Sequence, residues 1–147
     1  MLNGWTWAQL HYQGETGILA EALDQLLGQW EDFCAERNGQ CAQLIWRETT
    51  PQHFRGGFFH GAQDLKQECV ALRPSELETG NAFNLATDPI LRKYPRVLRL
   101  PAWRMLSHRP DAHMKRECTH WCQPGVLEKL VRVLYGVLLA HRARGGP

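Results

Sequence analysis

The sequence predicts an α/β domain, and three observations carry that reading. Two stretches, one near each end of the chain, place apolar residues at intervals of three and four. Two short apolar runs between them are bounded by Gly or Pro and read as buried strands. The resulting order, helix, strand, loop, strand, helix, is that of an α/β protein. Two strands are too few for a complete sheet of that class. At 147 residues the chain suits a single domain around one core, taken as residues 1–147.

Residues 2–12 mix aromatic and polar side chains and read as a strand end entering a loop. Thr16 then serves as a helix N-cap, because its hydroxyl can accept from a free backbone N–H one turn on. Leu19, Leu23, Leu26, Leu27, Trp30, Phe33 and Cys34 share one face of that helix. Glu21, Asp24, Gln25, Glu31 and Asp32 fill the other, and Asn38-Gly39 ends it. Each large apolar side chain buried on such a face contributes about 1.5–3 kcal/mol. Residues 41–46 form the first strand. In the loop at 47–57, Pro51 stops regular structure and Gly56-Gly57 permit a tight turn. Residues 61–87 weaken into a long polar loop, and Asp88-Pro89 caps a short helix through Leu91 and Tyr94. Residues 96–101 form the second strand. After Pro124-Gly125, the spacing of Val126, Leu127, Leu130, Val131, Leu134, Val137, Leu138 and Leu139 predicts an amphipathic helix that loses register only at Gly136. His141, Arg142 and Arg144 complement its dipole at the C-terminal end.

Composition narrows the function classes. A net charge of +2, with no run of Lys or Arg, argues against nucleic acid as a partner. The longest apolar run is broken by Arg132 and is too short to span a bilayer, so no membrane contact is expected within this chain. Residues 1–7 lack a basic region followed by an apolar core and do not read as a signal peptide. Either the protein is cytosolic or its N-terminus lies upstream of Met1. Five cysteines leave at least one unpaired within the chain. In an intracellular protein they would be free thiols.

The chemistry concentrates in Glu117-Cys118-Thr119-His120-Trp121-Cys122-Gln123-Pro124-Gly125, read as a loop ending at a helix start. Glu117 and His120 are three residues apart, and in a tight loop the carboxylate can hold the imidazole's tautomer and stabilise its charged form. A surface Glu near a half-buried His fits the same spacing. Cys118 and Cys122 flank His120, as free thiols, as disulfide partners of distant cysteines, or as metal ligands with His120. Their alternating spacing does not fit the usual zinc knuckles, and no metal is expected. Asp111-Ala112-His113 reads as a turn, with an acid–base pair as its rival. His53 lies in a loop leaving a strand, where α/β proteins bind ligands, although a structural histidine fits there too. Nucleophiles are scarce: Ser75 and Ser107 are the only serines, and neither lies in a Gly-x-Ser-x-Gly or Gly-Asp-Ser context.

Several of these segments, in order, resemble one family. The stretch from Glu117 to Val126 resembles the signature Asp-Cys-Ser-His-Trp-Cys-Leu-Pro-Gly-Val, and residues 130–139 resemble the helix after it. Asp111-Ala112-His113 resembles an Asp-Gly-His that precedes it. Arg47-Glu48-Thr49-Thr50-Pro51-Gln52-His53-Phe54-Arg55-Gly56-Gly57 resembles Arg-Thr-x-Ser-Pro-x-His-Phe-x-Gly-Gly. These are motifs of the trichome birefringence-like, or PC-esterase, family of polysaccharide O-acetyltransferases, and the resemblance covers only the C-terminal part of the family domain. It implies a partial SGNH/GDSL-like three-layer sandwich, a parallel sheet flanked by helices and lacking its N-terminal strands. It implies His120 as the triad histidine and Glu117 in the aspartate position, one methylene longer. Cys69 and one of Cys118 or Cys122 match disulfide cysteines. Asn3, His53 and Trp121 become candidate oxyanion or cleft residues. The Gly-Asp-Ser block would lie upstream of Met1, so the chain alone should transfer no acyl group. The implied partners are an acetyl donor and a polysaccharide acceptor, with no cofactor, in the Golgi lumen or secretory pathway. The alternative is a noncatalytic relic that binds glycan or a protein partner.

Overall fold

The computed structural model describes residues 16–57, 59, 67–114 and 117–145. The strand end expected within residues 2–12, and Asn3 with it, lie outside them. Helix α1, Thr16–Glu36, buries Leu19, Leu23, Leu27 and Cys34, one residue per turn. Leu26 and Phe33, expected on that face, are 44% exposed, because a single packing partner covers a narrower stripe than the sequence offers. Strand β1, Ile45–Arg47, is shorter than expected. Cys41 is tied back to Cys34 by a disulfide, and Ala42 gives its carbonyl to the Trp30 indole, so the chain joins the sheet only after these anchors.

The expected polar loop at 61–87 is largely replaced by two helices, α2 at Pro74–Thr79 and α3 at Ala82–Lys93. Asn81 caps α3 by accepting from the backbone N–H of Phe83 (2.9 Å) and Asn84 (3.3 Å). Asp88-Pro89 is therefore inside the helix and not its start. Asp88 instead pairs with Arg92 at 2.7 Å and with Arg99 at 2.6 Å. Strand β2, Leu98–Leu100, lies parallel to β1 in the register Ile45↔Leu98 and Arg47↔Leu100. A short helix α4, Ala102–Leu106, follows. Strands β3, His113–Met114, and β4, Glu117–Trp121, then pair antiparallel, and α5, Val126–Ala143, closes the described chain. The segment beginning at Glu117 is thus a strand, not the loop its polar residues suggested. Gly125, at φ 146°, adopts a backbone open to glycine where the chain turns into α5.

Helices cover both faces of the parallel pair. Trp46 packs with Leu23 and Leu27 of α1, Leu91 of α3 and Val97. Its neighbour Ile45 faces the other way, toward Leu100, Leu106, Val126 and Leu130. The α1–α3 contact is fixed at its edge by Asp24, which accepts from Lys93 Nζ (2.7 Å) and the Tyr94 hydroxyl (2.8 Å). The observed architecture is mixed α/β with a two-stranded parallel sheet among the described residues. No helix among them is long and apolar enough to cross a membrane.

Candidate active site

The site lies where the parallel strands end. The loop leaving β1 is buried at Thr49, Pro51, Gln52, His53 and Phe54, and polar contacts fix it from three sides. Thr49 donates its N–H to Asn84 Oδ1 (2.8 Å) and accepts from Asn84 Nδ2 (3.0 Å), which ties the loop to α3. Gln52 Nε2 donates to Thr119 Oγ1 at 3.1 Å. The His53 N–H donates to the Cys118 carbonyl, and the His53 carbonyl accepts from the Val70 N–H. The chain segments around residues 70, 53 and 118 therefore lie side by side, and the Cys69–Cys118 disulfide staples the outer two. At its start, Glu48 Oε2 accepts the Trp103 N–H at the head of α4, while burial pushes the carboxyl above its usual range.

On this platform β4 presents Glu117 and His120 side by side. Glu117 Oε2 is 2.8 Å from His120 Nδ1 and 2.6 Å from the His120 backbone N–H. Glu117 Oε1 is 3.3 Å from the Thr119 N–H. A carboxylate that accepts from ring and backbone together fixes both the imidazole's orientation and its tautomer: Nδ1 carries the proton and Nε2 is free. The His120 side chain is 74% exposed and lines a groove of about 670 Å³ with Arg47, Thr50, Thr119, Trp121 and Leu134. A second hollow of about 740 Å³, at the start of α5 along Gly125, Glu128 and Arg132, holds no such pair.

The remaining sequence candidates separate. Trp121 lines the groove, and its buried indole Nε1 has no hydrogen-bond partner among the described residues. His53 does not line it: the ring is wholly buried, since the loop carrying it is clamped beneath β4. Asp111 pairs with Arg109 through two 2.9 Å contacts and forms no acid–base pair with His113. Of the disulfide candidates, Cys118 is joined to Cys69, whereas Cys122 is a free thiol whose Sγ lies 3.0 Å from the His113 carbonyl. With its sulfur in the disulfide, Cys118 cannot serve as a metal ligand beside His120, and no cluster of three potential ligands occurs among the described residues. Ser107 is buried and donates to the Arg104 carbonyl; Ser75 lies in the first turn of α2. Sequence reading missed the Thr49–Asn84 and Gln52–Thr119 clamps, and the contact of His53 with His113, whose Nδ1 and Nε2 are 2.6 Å apart. Nothing in the local pattern signals contacts between residues 35 to 67 positions apart.

An α/β frame with a carboxylate–imidazole pair at the C-terminal end of its parallel strands defines the class of site. The chain is a distant relative of the trichome birefringence-like proteins. It is 25% identical over 132 aligned positions to trichome birefringence-like protein 24 of Arabidopsis thaliana, and 27% identical over 142 to trichome birefringence-like protein 25 of the same plant. The alignments take in 70% and 74% of this chain but 30% of each relative, so the chain spans about a third of their length. No family model and no solved structure matches it.

Proposed function

We propose that this chain is the C-terminal, acid–base part of an SGNH-type O-acetyltransferase or acyl-esterase acting on cell-wall polysaccharide. The 2.8 Å contact between Glu117 and His120 Nδ1 carries the reading, because it leaves His120 Nε2 free to take a proton. The distant likeness to two plant trichome birefringence-like proteins supports it. The nucleophile is a serine from a Gly-Asp-Ser block outside this sequence. Its Oγ attacks the acetyl carbonyl of a donor while His120 Nε2 takes the hydroxyl proton. The tetrahedral intermediate collapses, the donor's leaving group takes that proton from His120, and acetyl-serine remains. A sugar hydroxyl then attacks acetyl-serine, giving its proton to Nε2, and the departing serine oxygen recovers it. Glu117 holds the imidazole in place and offsets its charge in both steps. Backbone N–H groups and an Asn-type donor, the role assigned to Asn3, stabilise the oxyanion.

The partners are an acetyl donor and a polysaccharide acceptor, and the groove beside His120 is the acceptor's place. No cofactor or metal is called for. Two disulfides, Cys34–Cys41 and Cys69–Cys118, fit an oxidising secretory compartment, and the Golgi lumen is the compartment proposed. The second reading is a noncatalytic relic that binds glycan or a protein partner. Glu117 in an aspartate position, and Trp121 lining the groove, favour it. The two readings separate on one experiment. Mass spectrometry of the protein with its upstream sequence, incubated with an acetyl donor, should find an acetyl group on a serine. Absence of any in-frame Gly-Asp-Ser within a domain's length upstream of Met1 would sink the acyl-transfer reading.

A further inference from the structure

His53 and His113 meet ring to ring, with His53 Nδ1 2.6 Å from His113 Nε2. Their outer nitrogens are already committed. His53 Nε2 lies 3.0 Å from the Ser107 carbonyl, and His113 Nδ1 lies 3.0 Å from the His120 carbonyl. A carbonyl oxygen only accepts, so both outer nitrogens carry protons. A neutral imidazole has one N–H. With both rings neutral, the inner nitrogens would face each other as two lone pairs in close contact, which is repulsive. One further proton between them turns that contact into a charge-assisted hydrogen bond.

We propose that His53 and His113 share a third proton, forming a buried, singly charged imidazole–imidazolium pair that positions the hairpin carrying His120. The two act as positioning residues: the His113 N–H holds the His120 carbonyl, and His53 anchors His113 to the loop leaving β1.

The surroundings suit one charge and not two. Trp121 stacks on His113 with ring centroids 3.9 Å apart, and meets His53 edge to face at 5.8 Å. An aromatic face next to the ring favours a cation. Asp111 acts on His53, and Glu117 on His113, each favouring positive charge; His108 and His120 oppose it when protonated. The Cys122 thiol also lies at the His113 carbonyl, whereas Cys69 and Cys118 are joined in a disulfide and do not titrate. Burial opposes charge on either ring, lowering His53 and drawing His113 down to about 4. That cost falls hardest on a second proton, which would set two cations in contact. Burial thus works against the shared proton, the 2.6 Å contact between the inner nitrogens works for it, and a second proton is opposed both by burial and by the first. The pairing stands whether or not the chain transfers acyl groups.

In the unfolded chain both rings titrate separately near pH ~6.5. The one proton that the folded pair holds above that value contributes stability lost as pH rises through the pair's own value, whereas the second, which the folded pair resists, makes stability fall again as pH drops below the unfolded value. Two measurements on the whole chain test this. Long-range ¹H–¹⁵N spectra of the ring nitrogens at pH 7 should show three protons over the four nitrogens, one bridging the rings. Urea unfolding should show stability falling as pH rises above neutral, and His53→Gln should remove that fall. Two neutral rings, each with a proton-free nitrogen at pH 7, would overturn the proposal. So would an identical alkaline profile in native chain and variant. If His53→Gln does not fold, the spectra of the native chain decide alone.

Discussion

Glu117 Oε2 accepts from both the ring and the backbone of His120, at 2.8 and 2.6 Å. A residue three positions away on the same strand thus fixes the orientation of the imidazole ring within β4. Replacing the carboxylate by an amide removes the charge that offsets protonated His120. In the protein with its upstream sequence, Glu117→Gln is expected to lower kcat by about 10³–10⁴-fold with little change in KM. Steady-state kinetics with an acetyl donor checks this, and loss confined to KM would mean that Glu117 serves binding instead.

The two disulfides should differ in weight. Cys69–Cys118 closes a loop across 49 positions and Cys34–Cys41 one across 7. Chain entropy assigns about 4 kcal/mol to the first and about 2.5 kcal/mol to the second. Cys69→Ser should therefore lower stability more than Cys41→Ser, measured by urea unfolding of the oxidised proteins. The reverse order would show that the staple between the 69 segment and β4 matters less than the geometry implies.

Asn84 reaches out of α3 to pair with both backbone groups of Thr49. Its truncation leaves a half-buried donor and acceptor without these partners. Asn84→Ala is expected to cost about 1–3 kcal/mol and to speed amide exchange through residues 48–54. Unchanged protection there would show that the Gln52 and Cys118 contacts hold the loop by themselves.

Burial raises the Glu48 carboxyl above its ordinary value. The folded protein then holds this proton at pH values where the unfolded chain has lost it. Ionising Glu48 opposes folding, so its contribution is favourable at acid pH and fades as pH rises through the folded value. Glu48→Gln keeps an acceptor for the Trp103 N–H and carries no charge. It should be at least as stable as the native chain at pH 7, with that advantage gone near pH ~3 where both forms are neutral. Urea midpoints at the two pH values read the difference, and a variant weaker at pH 7 would contradict it.

The parts legible in the sequence are those whose periodicity a single packing face imposes. Leu19, Leu23 and Leu27 announced α1, and Val126 and Leu130 announced α5. Glu117 and His120 were legible as a pair because three positions on one segment bring them together wherever that segment goes. The β3–β4 hairpin was not, since its residues are polar and its partner strand has two residues. The helices at 74–93 were hidden because the pattern over 61–87 is weak and polar and Asp88-Pro89 reads as a helix start, whereas Asn81 is the cap and Pro89 lies within α3. His53 reads from its place after a strand either as a ligand-side residue or as a structural histidine, and the structure bears out the second. It is buried because Thr49, Gln52 and its own backbone are all held by distant partners.

The central claim is that His120, held by Glu117, is the acid–base residue of an acyl transfer. The most direct measurement is acetyl transfer to polysaccharide by the protein with its upstream sequence, comparing native chain and His120→Ala at matched, verified folding. The account predicts that the substitution lowers kcat/KM by about 10³-fold or more. Transfer by the folded His120→Ala protein at the native rate would contradict it.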